Sequence, residues 1–225
     1  MKKKKYYIFQ MKSLALNVIS IIILIIMLLI TFLISKNLFI KMFNDTFLLT
    51  FVLMIPYMML HELLHSLAYV IHGVKFKNIT YGIHLEKGVL CCLCKQNIKR
   101  RNILISLIYP FIFIGVITYI IGMITNNSVL TLLSIINISG CSGDLIMFYD
   151  LLKLNRYEYS EFDDPTSFGL YTSVDLSKTK LLGLKYVGTK EDLEIKDKRK
   201  IVISKASVIT LIFIVLLIII SLVLN

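Results

Sequence analysis

The chain has 225 residues, 57% of them apolar and 17% charged, with a mean hydropathy of +0.79. That composition lies outside the range of soluble globular domains and marks a membrane protein. The net charge of +11 would suggest nucleic acid in a soluble chain, but here the basic residues read as topology signals, and four Cys are too few for a disulfide scaffold.

A bilayer core about 30 Å thick needs roughly 20 apolar residues of helix. Residues 13–35 carry no charge. The MKKKK start resembles a signal-peptide n-region, but the apolar stretch is too long and no A-x-A-like site follows, so an uncleaved first span is expected. Residues 46–74 contain one acid, Glu62, and no Lys or Arg, giving a second span. Residues 75–101 return to charge and contain, over 78–94, β-prone stretches flanking Glu86-Lys87-Gly88, which predict a hairpin. The uncharged run 102–143 would reach about 63 Å as helix, enough for two crossings, with Asn126-Asn127-Ser128 as the turn between them. Residues 155–200 are charged, with short β-like pieces (GLYTSV, LGLKYVG), and predict a small cytosolic appendage without a sizeable core of its own. The uncharged run 206–225 predicts a fifth span.

The expected fold is an all-α polytopic membrane protein of about five transmembrane helices, with a short membrane-associated β-hairpin and a small cytosolic segment. The expected divisions are 1–45 (tail and first helix), 46–154 (a catalytic core with hairpin 78–94), 155–200 (cytosolic segment) and 201–225 (last helix). On this topology 23 of the 25 Lys and Arg fall on one side, leaving only Lys36 and Lys41 on the other. The positive-inside rule then places the N-terminus in the cytoplasm and the C-terminus outside. Anionic lipid headgroups account for the basic density, and no nucleic-acid partner is expected.

The second span carries His61-Glu62-Leu63-Leu64-His65, an H-E-x-x-H pattern. Residues four apart share a helix face, so both imidazoles can reach one Zn²⁺ while Glu62 stands beside it as a general base. With four His in the chain, chance would give this pattern in roughly two of a thousand such sequences. Three such groups inside a span are costly unless ligated, paired or hydrated, which makes them a functional candidate.

Catalytic zinc usually takes three protein ligands, and Asp144 on the fourth span is the candidate third. If the second span enters near Thr46 and the fourth near Ser128 from the same side, His61 and Asp144 both lie about 22 to 24 Å in, at matching depth. Ser139/Gly143 and Gly140/Asp144 follow a small-residue i,i+4 spacing suited to close helix approach. Asn137 falls on the face of Asp144 and is a candidate donor to a substrate carbonyl or oxyanion, or a helix-to-helix hydrogen bond. His72 reads as an interfacial histidine, His84 and Glu86 as solvent-facing, and Cys91, Cys92 and Cys94 as packing thiols. Asp150 reads as an exposed helix-end acid.

The HELLHSLAY helix, the Pro-containing LISLIYPFIFIG and NISGCSGD together resemble the site-2-protease type of intramembrane zinc metalloprotease. More closely, with DDPTSFGLY at 163–171, they resemble the bacterial putative zincin peptidase family over roughly residues 46–175. The resemblance implies His61, His65 and Asp144 as zinc ligands and Glu62 as the catalytic acid/base. It also implies a bacterial plasma-membrane location and a membrane-protein or peptide substrate. Site-2 proteases set this Asp among prolines, whereas here Gly precedes it. The expected function is a zinc metallopeptidase acting on membrane-associated substrates near the cytoplasmic face, with residues 78–94 offering an edge strand to hold an extended substrate. Two alternatives are a non-catalytic zinc-stabilised binding or immunity protein and a small proton-coupled transporter.

Overall fold

The computed structural model describes residues 5–44, 46–84, 89–94, 96, 98–154, 158–160 and 167–189. Three described helical stretches are long and apolar enough to cross a membrane: Leu14–Ile34, Phe47–Ile71 and Arg100–Ile124. A fourth column is made by Ser128–Gly140 and Ser142–Lys153, bent by 40°. The predicted fifth span at 206–225 lies outside the described residues. Polarity is inverted relative to a soluble core. Ile22, Ile25, Leu29, Leu48, Val52, Ile55 and Leu63 are exposed, whereas Thr31, Thr50, Ser106, Thr131, Ser134 and Asn137 are buried between helices. Large apolar side chains facing outward along whole helices suit lipid, and inward polar groups bond to backbone carbonyls and to one another.

Strand β1 (Lys5–Met11) leads into α1 (Ser13–Ile34), followed by the short amphipathic α2 (Lys36–Asn44) that carries Lys36 and Lys41. Helix α3 (Phe47–Ile71) contains Pro56. It is followed by the hairpin β2 (Ile79–His84) and β3 (Val89–Cys94), in register from Ile79 opposite Cys94 to His84 opposite Val89. The hairpin forms where the sequence predicts it, its turn lying outside the described residues. β4 (Ile98–Lys99) then opens α4 (Arg100–Pro110). Pro110 ends regular α-geometry, and the chain continues through a π-helical stretch, Phe111–Ile117, into α5 (Thr118–Ile124). The turn comes at the predicted Asn pair. Asn126 has φ 51°, and Asn127 caps α6 (Ser128–Gly140) by accepting from the Leu130 N–H.

At the predicted small-residue spacing α1 reaches the helix at Ser139, whose carbonyl accepts from Ser20 Oγ at 2.9 Å, but the two glycines make no tight contact. The helix breaks at Cys141 before α7 (Ser142–Lys153), and a Cβ added to Gly140 or Gly143 would meet nothing within 4 Å. The tight contact is at Gly122, where a Cβ would lie 2.6 Å from Thr131 Oγ1 and 2.9 Å from Thr131 N.

The all-α expectation needs correction. β5 (Glu158–Ser160), β6 (Ser167–Thr172) and β7 (Leu184–Thr189) join β4 and β1 in a five-stranded sheet of order β4-β5-β6-β1-β7, antiparallel at every pairing. The lysine-led N-terminal segment is thus a central strand rather than a loose tail, and 167–189 is no separate appendage. Phe9, Phe168, Leu170 and Leu184 of the sheet share one buried cluster with Tyr69, Leu107, Met147 and Leu151 of the helices. A small sheet that could not bury a core alone does so against the helix ends. Because its strands come from residues 5–11, 98–99 and 158–189, it brings onto one face the segments that the basic-residue count assigns to one side of the bilayer.

Candidate metal centre

Helix α3 presents His61 and His65 one turn apart, and the first turn of α7 presents Asp144. The break at Cys141 turns that end of α7 toward α3. His61 Nε2 and His65 Nε2 lie 3.1 Å apart, and Asp144 Oδ2 stands 3.3 Å from the former and 3.6 Å from the latter. His65 is buried, and the His61 and Asp144 side chains are 13% and 19% exposed. The three predicted residues therefore meet, as the equal-depth count on the two spans anticipated.

The outer hydrogen bonds fix the protons. His65 Nδ1 lies 2.9 Å from the Ser106 carbonyl oxygen, an acceptor only, so Nδ1 carries the hydrogen. His61 Nδ1 lies 2.8 Å from Asn137 Oδ1, and the Asn137 amide is oriented by Nδ2 donating to the Pro110 carbonyl at 3.4 Å. His61 Nδ1 is therefore also the protonated nitrogen. With neutral rings, both Nε2 lone pairs point at each other and at a carboxylate oxygen. Three electron pairs converging within 3.6 Å repel unless a proton or a metal ion lies among them.

Zinc fits this donor set. Two imidazoles and one carboxylate make a common catalytic ligand set, and tetrahedral bonds of about 2.0–2.1 Å put neighbouring ligands about 3.3 Å apart. The observed separations of 3.1, 3.3 and 3.6 Å bracket that edge. Each imidazole also has the outer acceptor typical of metal-bound histidine.

Asn137 occupies a different place from the predicted substrate donor. It is 7% exposed, its oxygen is held by His61, and its NH₂ faces the Pro110 carbonyl and, at 3.7 Å, Cys141 Sγ. It orients a histidine instead of reaching outward.

Glu62 lies on the same turn, within electrostatic range of His61, His65 and Asp144, and its carboxylate receives the backbone N–H of Cys92. β3 thus runs beside α3 at the site. One turn on, Ser66 Oγ contacts Tyr81 Oη and, at 3.1 Å, Cys92 Sγ, which pins the hairpin to the helix. Cys92 Sγ packs on Ser66, and Cys94 is buried with its Sγ donating to the Gln96 carbonyl at 3.8 Å, in keeping with the packing role predicted for them.

The remaining candidates lie elsewhere. His72 caps the end of α3, its Nδ1 2.6 Å from the Ala68 carbonyl. Glu86 and the side chains of His84 and Cys91 lie outside the described residues. Asp150 is fully buried, contrary to the exposed acid predicted. It accepts backbone N–H groups from Leu182, Gly183 and Leu184 at 2.9–3.1 Å, fastening the loop before β7 to α7.

No curated protein and no solved structure matches the chain. Residues 53–159, a stretch that includes His61, Glu62, His65, Ser106, Pro110, Asn137 and Asp144, match the family described as "Putative zincin peptidase", which points to a zinc metallopeptidase.

Proposed function

We propose that this chain is an integral-membrane zinc metallopeptidase that hydrolyses peptide bonds of membrane-associated substrates close to the cytoplasmic face. The observation that carries the reading is the triangle of donor atoms from His61, His65 and Asp144, set beside Glu62 on one helix turn. A zinc ion held there supplies a Lewis acid that polarises a carbonyl and acidifies water to a pKa near 7.

The chain's own groups supply the rest. Asn137 and the Ser106 carbonyl keep both imidazoles in the tautomer that binds metal through Nε2. Glu62 accepts a proton from the attacking water and returns it to the leaving amine. The Cys92 N–H orients its carboxylate in the resting state. A helical substrate hides its carbonyls in its own hydrogen bonds and must be extended before it is cut. β3, packed along α3 at the site, is placed to hold an extended segment by strand addition.

The sheet-bearing face is assigned to the cytoplasm by the 23 basic residues on that side, and water reaches the site from there. Lys36 and Lys41 lie on α2 at the opposite ends of the helices, and among the described residues they are the basic ones assigned to the other side.

The test is Glu62→Gln, which leaves the three metal donors in place. Membranes from cells expressing the wild type should contain new peptide N-termini that disappear in the variant, while both purified proteins retain zinc. Identical sets of N-termini, with zinc bound in both, would leave a metal-stabilised binding protein instead. A wild type that binds no zinc would remove the peptidase reading.

A further inference from the structure

Pro110 stands between the two outer contacts of the metal centre. A helical residue normally donates its N–H to the carbonyl four positions back, and proline has no N–H to donate. Four residues before Pro110 is Ser106, whose carbonyl accepts from His65 Nδ1 at 2.9 Å. The next N–H along the chain, that of Phe111, bonds to the Ile108 carbonyl and leaves Ser106 free. The proline ring also crowds the carbonyl four residues back and tilts it off the helix axis. Here that carbonyl meets His65 of α3. Ser106 completes the contact by donating its Oγ hydrogen to the His65 carbonyl at 3.4 Å.

The carbonyl of Pro110 serves the other histidine. It accepts from Asn137 Nδ2 at 3.4 Å, which turns Asn137 Oδ1 toward His61 Nδ1. The π-helical stretch that follows sets Gly115 next to this amide, where a Cβ would come within 3.4 Å of Asn137 Nδ2 and 3.0 Å of Ile138 Cγ1. We propose that Pro110 is a positioning residue of the metal centre: its missing N–H releases the Ser106 carbonyl to hold His65, and its own carbonyl fixes the Asn137 amide that holds His61. The inference rests on the zinc reading of His61, His65 and Asp144.

The experiment compares full-length wild type with Pro110→Ala and Pro110→Gly in lipid nanodiscs, with Pro56→Ala as the control. Pro56 interrupts α3, yet the carbonyl it releases, that of Val52, belongs to a residue exposed toward lipid. Zinc affinity is read by competition with a chromogenic chelator, Co²⁺ coordination by its visible spectrum, and folding by the thermal midpoint of the metal-free protein. Both Pro110 variants restore an N–H that draws the Ser106 carbonyl back to the helix axis. Zinc affinity should fall about 10- to 100-fold in both and the Co²⁺ band should shift. The metal-free midpoint of Pro110→Ala should equal or exceed that of the wild type, because the helix regains a hydrogen bond. Pro56→Ala should bind zinc as the wild type does.

Unchanged zinc affinity in both Pro110 variants, or an equal loss in Pro56→Ala, would overturn the proposal. Collapse of the metal-free fold in both would assign Pro110 to folding and overturn it as well. A wild type that binds no zinc refutes the peptidase reading itself, a result distinct from all of these.

Discussion

Helix α7 carries two carboxylates six residues apart, Asp144 and Asp150, and their surroundings differ in kind. Asp150 is fully buried and receives three backbone N–H groups from residues 182–184, so the protein itself satisfies its charge. Asp144 faces the Nε2 atoms of two imidazoles whose Nδ1 protons are committed elsewhere, so its charge is completed by what lies among those atoms, a metal ion or an Nε2 proton. Burial alone therefore does not distinguish a structural acid from a functional one. The inventory of donors around each acid does.

This contrast can be broken or sharpened by substitution. Asp144→Ala should have the largest effect, lowering peptidase activity by about 10⁴-fold or more, since residues acting as a unit fail together. Measured turnover within tenfold of the wild type would erase the distinction between the two acids. Asp150→Ala should act on the fold instead. It leaves three N–H groups unpaired, two of them, on Gly183 and Leu184, buried at about 1–3 kcal/mol each, and a stability loss of about 2 kcal/mol or more is expected. The check is the thermal midpoint in detergent, with zinc content at low temperature unchanged. Loss of zinc without loss of stability in this variant would merge the two roles.

Smaller effects fall on the residues that orient the ligands. Asn137→Ala should weaken zinc binding about 10- to 100-fold by releasing His61, as chelator competition would report. Gly115→Ala should weaken it by less than about tenfold. Its Cβ presses on Asn137 from 3.4 Å, an ordinary contact distance, while Ile138 at 3.0 Å takes most of the strain. An Asn137→Ala protein with full affinity would show that His61 needs no outer partner.

Much of the candidate site is legible in the sequence because it rests on spacing. The i,i+4 imidazoles and the nearly equal residue counts from Thr46 to His61 and from Ser128 to Asp144 set height and face before any tertiary contact is known. The Asn126-Asn127 turn is legible for a similar reason, being local. What escapes is non-local. Residues 5–11 read as part of an N-terminal tail because their partners, β6 and β7, lie some 160 to 180 residues away. Asp150 reads as solvent-facing because its ligands are backbone N–H groups, which leave no side-chain signature. Of the two roles the sequence leaves open for Asn137, the helix-to-helix hydrogen bond is the one seen, its NH₂ facing the Pro110 carbonyl and its oxygen facing His61 on another helix. Pro110 carried a signal that could have been used: a proline in a span frees the carbonyl four residues earlier, and that carbonyl seeks a donor.

The central claim is that two imidazole nitrogens and one carboxylate oxygen grip a single zinc ion between α3 and α7. X-ray absorption at the zinc edge of the purified full-length protein tests it most directly. The account predicts one zinc per chain with nitrogen and oxygen neighbours at about 2.0–2.1 Å and an imidazole scattering pattern from two histidines. Absence of zinc, or a sulfur shell at about 2.3 Å from the cysteines, would contradict it.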